Sequence, residues 1–300
     1  MNGTMNIGMM RQPVRRRTII ATLMRQPVRR RAIIAAAAMV ATLGAGAAAL
    51  RAVSVSPMSV FMTHTSRTGT ITLYNPNPLP EEIEISFAFG YPQSDSAGDV
   101  TVPLSDVAPE GEPSAVPWLR AFPRRLVLQP GQQQVVRILA QPPAGLADGE
   151  YWSRVLVTAT GGRPPVEQQV QPDVRVAISM RTIIVASLNY RKGRPSTGIA
   201  LTGAVAERTA DGVQITVDMA RQGEAAYLGR IRIELLDAAG GVVHEEEDVL
   251  SVYRTLRRRF TMPGMENAVR VRYTLDTERP ELGQSNIITA PAVTGTIDVR

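Results

Sequence analysis

From residue 53 onward, apolar and polar side chains alternate in short runs. In VRVAISMRT, residues 174–182, the side chains of Val174, Val176, Ile178 and Met180 are apolar, and Arg175, Ser179 and Arg181 fall between them. This two-residue period gives a strand with one apolar face. The same period, interrupted by Gly, Pro, Asn and Asp every about 8 to 12 residues, predicts strands over 53–62, 68–74, 83–89, 126–128, 133–139, 151–159 and 168–185. Asn75-Pro76-Asn77-Pro78 and Gln129-Pro130-Gly131 divide them, because proline lacks the amide donor that a central strand needs. Gly161-Gly162-Arg163-Pro164-Pro165 sets off the last strand in the same manner.

A polar passage, residues 189–197, holds the chain's only lysine, Lys192, together with Gly193 and Pro195, and reads as a linker. Beyond it alternation resumes over 199–206, 213–219, 231–236, 242–247, 253–260 and 269–275. Ala238-Ala239-Gly240-Gly241 has the composition of a hairpin turn. Long helical periodicity is absent, so the expectation is an all-β protein with two strand sets, 53–188 and 198–300, each the size of an immunoglobulin-like β-sandwich. At roughly 150 residues per domain, the 300-residue chain has room for two cores.

Charge changes the picture of the amino terminus. The net charge of +6 would suggest an anionic partner, but residues 1–52 carry nine arginines and no acidic residue, leaving 24 basic against 27 acidic side chains elsewhere. The remainder has no basic face interleaved with aromatics, which excludes nucleic acid as the expected partner. MRQPVRRRTIIATL, residues 10–23, is followed at once by MRQPVRRRAIIAAA, residues 24–37. We read the copy as a duplication or an upstream start, since nothing physical requires two. From Met24, a basic segment ending at Arg31, an uncharged run over 32–50 and small residues at Ala45, Ala47 and Ala49 form an export signal. The run is long enough to span a bilayer, and Arg30-Arg31-Ala32-Ile33-Ile34 loosely matches a twin-arginine pattern. Its Ala and Gly content makes it only mildly apolar, and no cofactor motif calls for folded export. Contact with the membrane is therefore expected only in transit, through the signal.

Candidate chemistry is sparse. The chain has no cysteine, which removes disulfides and thiolate chemistry. His64, in Thr63-His64-Thr65-Ser66, reads as a polar hairpin end, and His244 precedes Glu245-Glu246-Glu247-Asp248. That acidic run lacks the glycine and ligand spacing of an EF-hand calcium loop and reads as a solvated strand and turn. Gly44-Ala45-Gly46 lies in the signal and opens no phosphate-binding helix. Arg257-Arg258-Arg259 reads as a solvated face. No catalytic residue, cofactor or metal site is expected. A hydrolase built on His64 or His244 would need carboxylates around one imidazole.

Three motifs occur in order: Phe122-Pro123-Arg124-Arg125-Leu126, then Leu128-Gln129-Pro130-Gly131, then Val135-Val136-Arg137. Asn75 precedes them, and Glu150-Tyr151 follows after a short loop. As an ordered set spanning about residues 53–185, they resemble the PapD-like periplasmic pilus chaperones. The second strand set resembles that family less, through residues 223–232 and Val252-Tyr253-Arg254. The resemblance implies two immunoglobulin-like sandwiches, a periplasmic location and no catalysis. It implies pilin-like fibre subunits as partners, with an outer-membrane usher. The last strand of the first sandwich would lend its side chains to a subunit lacking its own final strand, and Val174, Val176, Ile178 and Met180 stand where that strand should be. Fully entering a subunit groove, these four would contribute a gross term of about 6 to 12 kcal/mol before association costs.

The same family holds the subunit's terminal carboxylate with two basic side chains. Arg181 falls near the later position and has bidentate geometry available. The first-strand place is Met58, which cannot ion-pair, and Arg67 is the substitute considered. Two readings of the ladder stay open. It packs on its own core, as in a structural or adhesive sandwich of a surface fibre, or it is offered to another polypeptide. Alternation ends at Ile183-Ile184-Val185, where both faces become apolar, the pattern of a strand running from an exposed edge into an interdomain core.

Overall fold

A computed structural model describes residues 52–161 and 180–300. The leader with its repeated segment, and Val174, Val176 and Ile178 of the ladder, lie outside the described residues; of Met180 only the backbone is described. The strands of the first half are β1 (Ser54–Ser56), β2 (Ser59–Thr63), β3 (Thr68–Tyr74), β4 (Glu81–Ala88), β5 (Gln93–Ser94), β6 (Val100–Thr101), β7 (Leu119–Phe122), β8 (Arg125–Leu128), β9 (Gln133–Ala140), β10 (Gly149–Gly161) and β11 (Met180–Lys192). The second half contributes β12 (Thr197–Thr209), β13 (Gly212–Gly223), β14 (Tyr227–Leu236), β15 (Val242–Val252), β16 (Thr255–Met262), β17 (Arg270–Asp276) and β18 (Val293–Asp298). Among the described residues, the only helical pieces are three short 3-10 turns. No helix there is long and apolar enough to cross a membrane.

Two sandwiches result. The first packs the sheet β1-β3-β9-β7 against β2-β11-β10-β4-β8, and the second packs β12-β13-β16 against β15-β14-β17-β18. Alternation along each strand decides which side chains fill the gap between sheets. In the first sandwich Val60, Met62, Ile71, Leu73, Ile83, Ile85, Val136, Ile138, Val155, Val157, Leu188 and Tyr190 are buried in one core. In the second, Ile215, Val217, Ile231, Ile233, Leu250, Phe260 and Val271 are buried in another. Each such side chain contributes about 1.5 to 3 kcal/mol of burial. The two-sandwich, all-β expectation matches this architecture.

The structure corrects the sequence reading at several elements. The run 53–62 is not one strand. Pro57 cannot donate to a ladder, so β1 ends at Ser56 and pairs with β3, whereas β2 starts at Ser59 in the opposite sheet and pairs with β11. The passage 189–197 is not all linker, because β11 continues through Asn189, Tyr190 and Arg191 to Lys192, and Asn189 and Tyr190 are fully enclosed. The strands β5, β6 and β7, of two, two and four residues, carried too few alternating positions to be seen, and β18, which alternates over six residues, was missed as well. Conversely, the turn at Ala238–Gly241 forms as expected: Asp237 Oδ1 accepts the amides of Ala239 (2.9 Å) and Gly241 (2.7 Å), and Gly240 takes the positive φ of 85° that favours glycine.

Where the sandwiches meet, one carboxylate gathers donors from both. Glu150 at the start of β10 has no exposed side-chain surface. Its Oε1 accepts hydrogen bonds from Trp152 Nε1 (3.0 Å), Asn189 Nδ2 (2.9 Å) and the Ala226 amide (2.9 Å). Its Oε2 accepts from Arg191 Nε at 2.7 Å. Asn189 Oδ1 in turn accepts from the Tyr253 hydroxyl at 3.3 Å. Around this centre Phe89, Trp152, Ala226, Leu228 and Tyr253 form a third apolar cluster. Trp152 and Tyr253 meet edge to face at 4.9 Å, and the Arg254 guanidinium lies 5.3 Å from the Trp152 ring centroid while bonding Glu112 at 2.8 Å. The β5–β6 hairpin adds a second brace, since Ser94 Oγ accepts the Arg257 amide (2.7 Å) and Ser96 O accepts from Arg257 Nη1 (3.1 Å).

A buried charge is tolerable only when fully compensated. Glu150→Gln would leave the Arg191 guanidinium, 13% exposed, without its anion. A loss of about 3 to 5 kcal/mol of unfolding free energy is expected, measured by urea denaturation. A change of less than about 1 kcal/mol would mean that the junction does not depend on this charge.

An open strand edge as the candidate functional site

The candidate site grows from the pairing of β11. On one side β10 accompanies it along its whole length, from Gly149↔Lys192 to Gly161↔Met180. On the other, parallel β2 covers only Ser187 to Arg191, opposite Ser59 to Thr63. The last hydrogen bond on that side runs from the Ser187 amide to Met58 O, 2.9 Å. Main-chain groups alternate along a strand, so the N–H and C=O groups of Arg181, Ile183 and Val185 point to the same side as those of Ser187. Among the described residues no strand lies there. The uncovered stretch, residues 180–186, is about 23 Å long at ~3.3 Å per residue.

Side chains sort cleanly by face. Ala186, Leu188 and Tyr190 are buried in the first core and Ile184 packs against it. Arg181, Ile183 and Val185 occupy the outer face, where Ile183 is 48% exposed. Cross-strand partners continue that face: Val185 stands beside Leu156, Ile183 beside Thr158 and Arg181 beside Thr160. The even-numbered positions of β11 thus face inward, and the ladder positions 174, 176, 178 and 180 share that parity in the sequence. Natural sheets blunt such edges with proline, lysine or bulges; residues 180–186 contain none of the first two.

Arg181 is exposed and has no ion pair or hydrogen bond among the described residues. It joins Glu82, Glu84, Arg125, Val127 and Thr158 around a shallow concavity of the outer face. The Arg125 guanidinium, bonded to Glu84 at 2.9 Å, holds that carboxyl below its usual range, with Arg124 and Arg181 adding to the effect. Met58 does not meet Arg181. Its carbonyl sits against Ser187, six residues further along β11, or about 20 Å at strand spacing. Arg67 lies beyond the far end of β2, where Nε bonds His64 O (3.0 Å) and Nη2 contacts His64 Nε2 (3.2 Å). Arg181, Met58 and Arg67 therefore do not form one clamp.

The remaining candidates are absorbed by structure. His64 Nδ1 meets the Tyr190 hydroxyl at 2.6 Å and Nε2 meets Arg67, with no carboxylate in hydrogen-bond reach. Desolvation, and then the positive charge of Arg67, lower its pKa. Acidic side chains after His244 face arginines rather than water alone: Glu245 pairs with Arg232 (3.1 Å), Glu247 with Arg230 (3.1 Å), and Asp248 with Arg258. Arg257 grips Asp218 through Nε (2.7 Å) and Nη2 (2.9 Å). Both charge runs, expected as solvated faces, remain partly exposed but carry ion pairs, within a sheet for Glu245, Glu247 and Arg257 and from one sheet to the other for Asp248 with Arg258. Among the described residues no group of three acidic or histidine side chains could hold a metal ion.

No family model matches the chain, and no curated protein does either. Solved structures do. A chain of the Salmonella enterica SafA pilin in complex with the SafB chaperone is 13% identical, with 84% of this chain and 99% of that one covered and a TM-score of 0.43. The Pseudomonas aeruginosa CupB2 chaperone is 15% identical, covering 82% and 100% respectively, with a TM-score of 0.37. The periplasmic chaperone SfaE is 11% identical over 83% and 99%, with a TM-score of 0.38. These likenesses are distant and assign no role to any residue of this chain.

The sequence reading missed two determinants of the site. Arg191 was hidden in the supposed linker, and its link to Glu150 spans 41 positions. The limit of β2 coverage depends on a strand switch at Pro57, which the proline itself could have signalled.

Proposed function

We propose that the protein is a non-enzymatic assembly chaperone that caps unfinished subunits of a surface fibre by lending them the open edge of β11. The observation that carries this reading is the one-sided pairing of residues 180–186, which leaves the main-chain groups of Arg181, Ile183 and Val185 ready to complete another sheet. A polypeptide lacking its final strand has unpaired backbone groups and an open apolar groove, both prone to aggregation. In this reading Val174, Val176, Ile178 and Met180 fill that groove. The same alternation that buries Ala186 and Leu188 in the first core and packs Ile184 against it continues in sequence through these four positions.

Further parts of the proposal rest on sequence. The leader with its basic segment and apolar run supports export, hence a periplasmic site of action, with a membrane usher as the receiver of the loaded complex. Arg181, exposed and without an ion pair among the described residues, is the proposed contact for a subunit carboxylate. Met58 contributes no charge to that contact.

Co-expression with a fibre subunit from the same genome tests the reading. The wild-type chain should keep the subunit soluble, and the double change Val176→Asp with Ile178→Asp should let it precipitate while leaving the chaperone folded. Rescue by the double variant would remove the ladder mechanism. In the same system, Arg181→Ala should weaken subunit retention by about tenfold, the value of one charge-assisted hydrogen bond of ~1.5 kcal/mol. Unchanged affinity would remove Arg181 as the carboxylate contact while sparing the strand.

A further inference from the structure

The face of β11 that looks away from the core carries information the ladder does not use. Its outward side chains read, two residues apart, Val185, Ile183 and Arg181. Leu156 flanks Val185 and Thr158 flanks Ile183 on the β10 side, so among the described residues each outward residue has a strand neighbour on one side only. The other side is the open one, and Ile183 keeps 48% of its surface exposed. A strand joined there by hydrogen bonds would stand ~4.8 Å away, with its own outward side chains directly against these three. Aliphatic groups opposite Val185 and Ile183 would be favoured by contact, and a carboxylate opposite Arg181 by charge, since that guanidinium makes no hydrogen bond or ion pair among the described residues and Glu84 acts on it only through space.

We infer that Val185, Ile183 and Arg181 form a second recognition row, which selects a partner strand whose outward face reads aliphatic, aliphatic, acidic at two-residue spacing. The inference rests on the proposed use of the β11 edge and adds to it the chemistry of the segment that fits. The ladder fills a partner's groove with this chain's side chains. The outer row instead reads the partner's own sequence on the solvent side of the joined sheet. It requires no rearrangement, because β11 is already held in place by β10 along residues 149–161.

Two synthetic peptides test it against the full-length protein. Both share alternating aliphatic residues on the inward face and have amidated carboxyl ends; one carries Val, Val and Glu on the outward face, the other Ser, Ser and Glu. Titration calorimetry with the wild type should favour the valine peptide by at least about fivefold, the ratio given by one good cross-strand pair. Ile183→Thr should reduce that preference to less than about twofold. Val135→Thr should retain it. Val135 is equally exposed, at 50%, but it sits on β9 in the opposite sheet of the sandwich. Equal binding of the two peptides by the wild type, or an equal loss of preference in both variants, would overturn the outer row and leave the edge itself standing. Binding of neither peptide would overturn the edge and the row together.

Discussion

The architecture of the first sandwich turns on how far one strand covers its neighbour. β2 can begin only at Ser59, because Pro57 ends the run that precedes it and sends the chain from one sheet to the other. β11 is longer than the cover it receives. Its second half is paired on both sides and buries Leu188 and Tyr190, whereas its first half has β10 alone among the described residues. A single proline position thereby divides one strand into a part paired on both sides and a part whose second side no described strand covers.

That division is useful only if the part paired on both sides does not yield. Glu150 and Arg191 lie on β10 and β11 at the fully paired end, and the four hydrogen bonds to Glu150 join these strands to the Ala226 amide of the second sandwich. The interior has low polarizability, so such a centre is either fully satisfied or strongly destabilising. The aromatic cluster of Trp152, Tyr253 and Tyr91 seals it from water, with Tyr91 stacked on Tyr253 at 5.7 Å. The second sandwich therefore acts on the proposed site by bracing the strand pair from which the open edge extends. Its own surface is dominated by arginine–carboxylate pairs such as Arg230 with Asp276 at 2.9 Å and Arg272 with Glu234 at 2.6 Å. Such ladders engage the charges of its β strands internally.

Much of the fold was legible because alternation is a local signal. The strands around Ile71, Ile85, Val136, Val155, Ile215, Ile233 and Val271 follow from period two and from the Pro and Gly residues between them. The run Ile183-Ile184-Val185, where both faces are apolar, suggests a strand entering an interdomain core, and the structure corrects this: Ile184 packs on the first sandwich's own core, Ile183 lies on the exposed outer face, and the junction begins only at Asn189. What failed was nonlocal. The residues of 189–192 look polar because Asn189 and Arg191 spend their polarity on a carboxylate 39 and 41 positions away, and no window of sequence shows that bond. Likewise the resemblance sets Met58 and Arg181 at the two places of one anchor, and only the register shows Met58 against Ser187. Position along a strand is set by pairing, which sequence spacing does not report.

The central claim concerns main-chain groups, so amide hydrogen exchange measured residue by residue tests it most directly. In the free protein the account predicts slow exchange at Thr182, Ile184 and Ala186, whose amides face β10, and exchange faster by orders of magnitude at Ile183 and Val185. Slow exchange at all five would mean that the edge is already occupied, and would contradict the account.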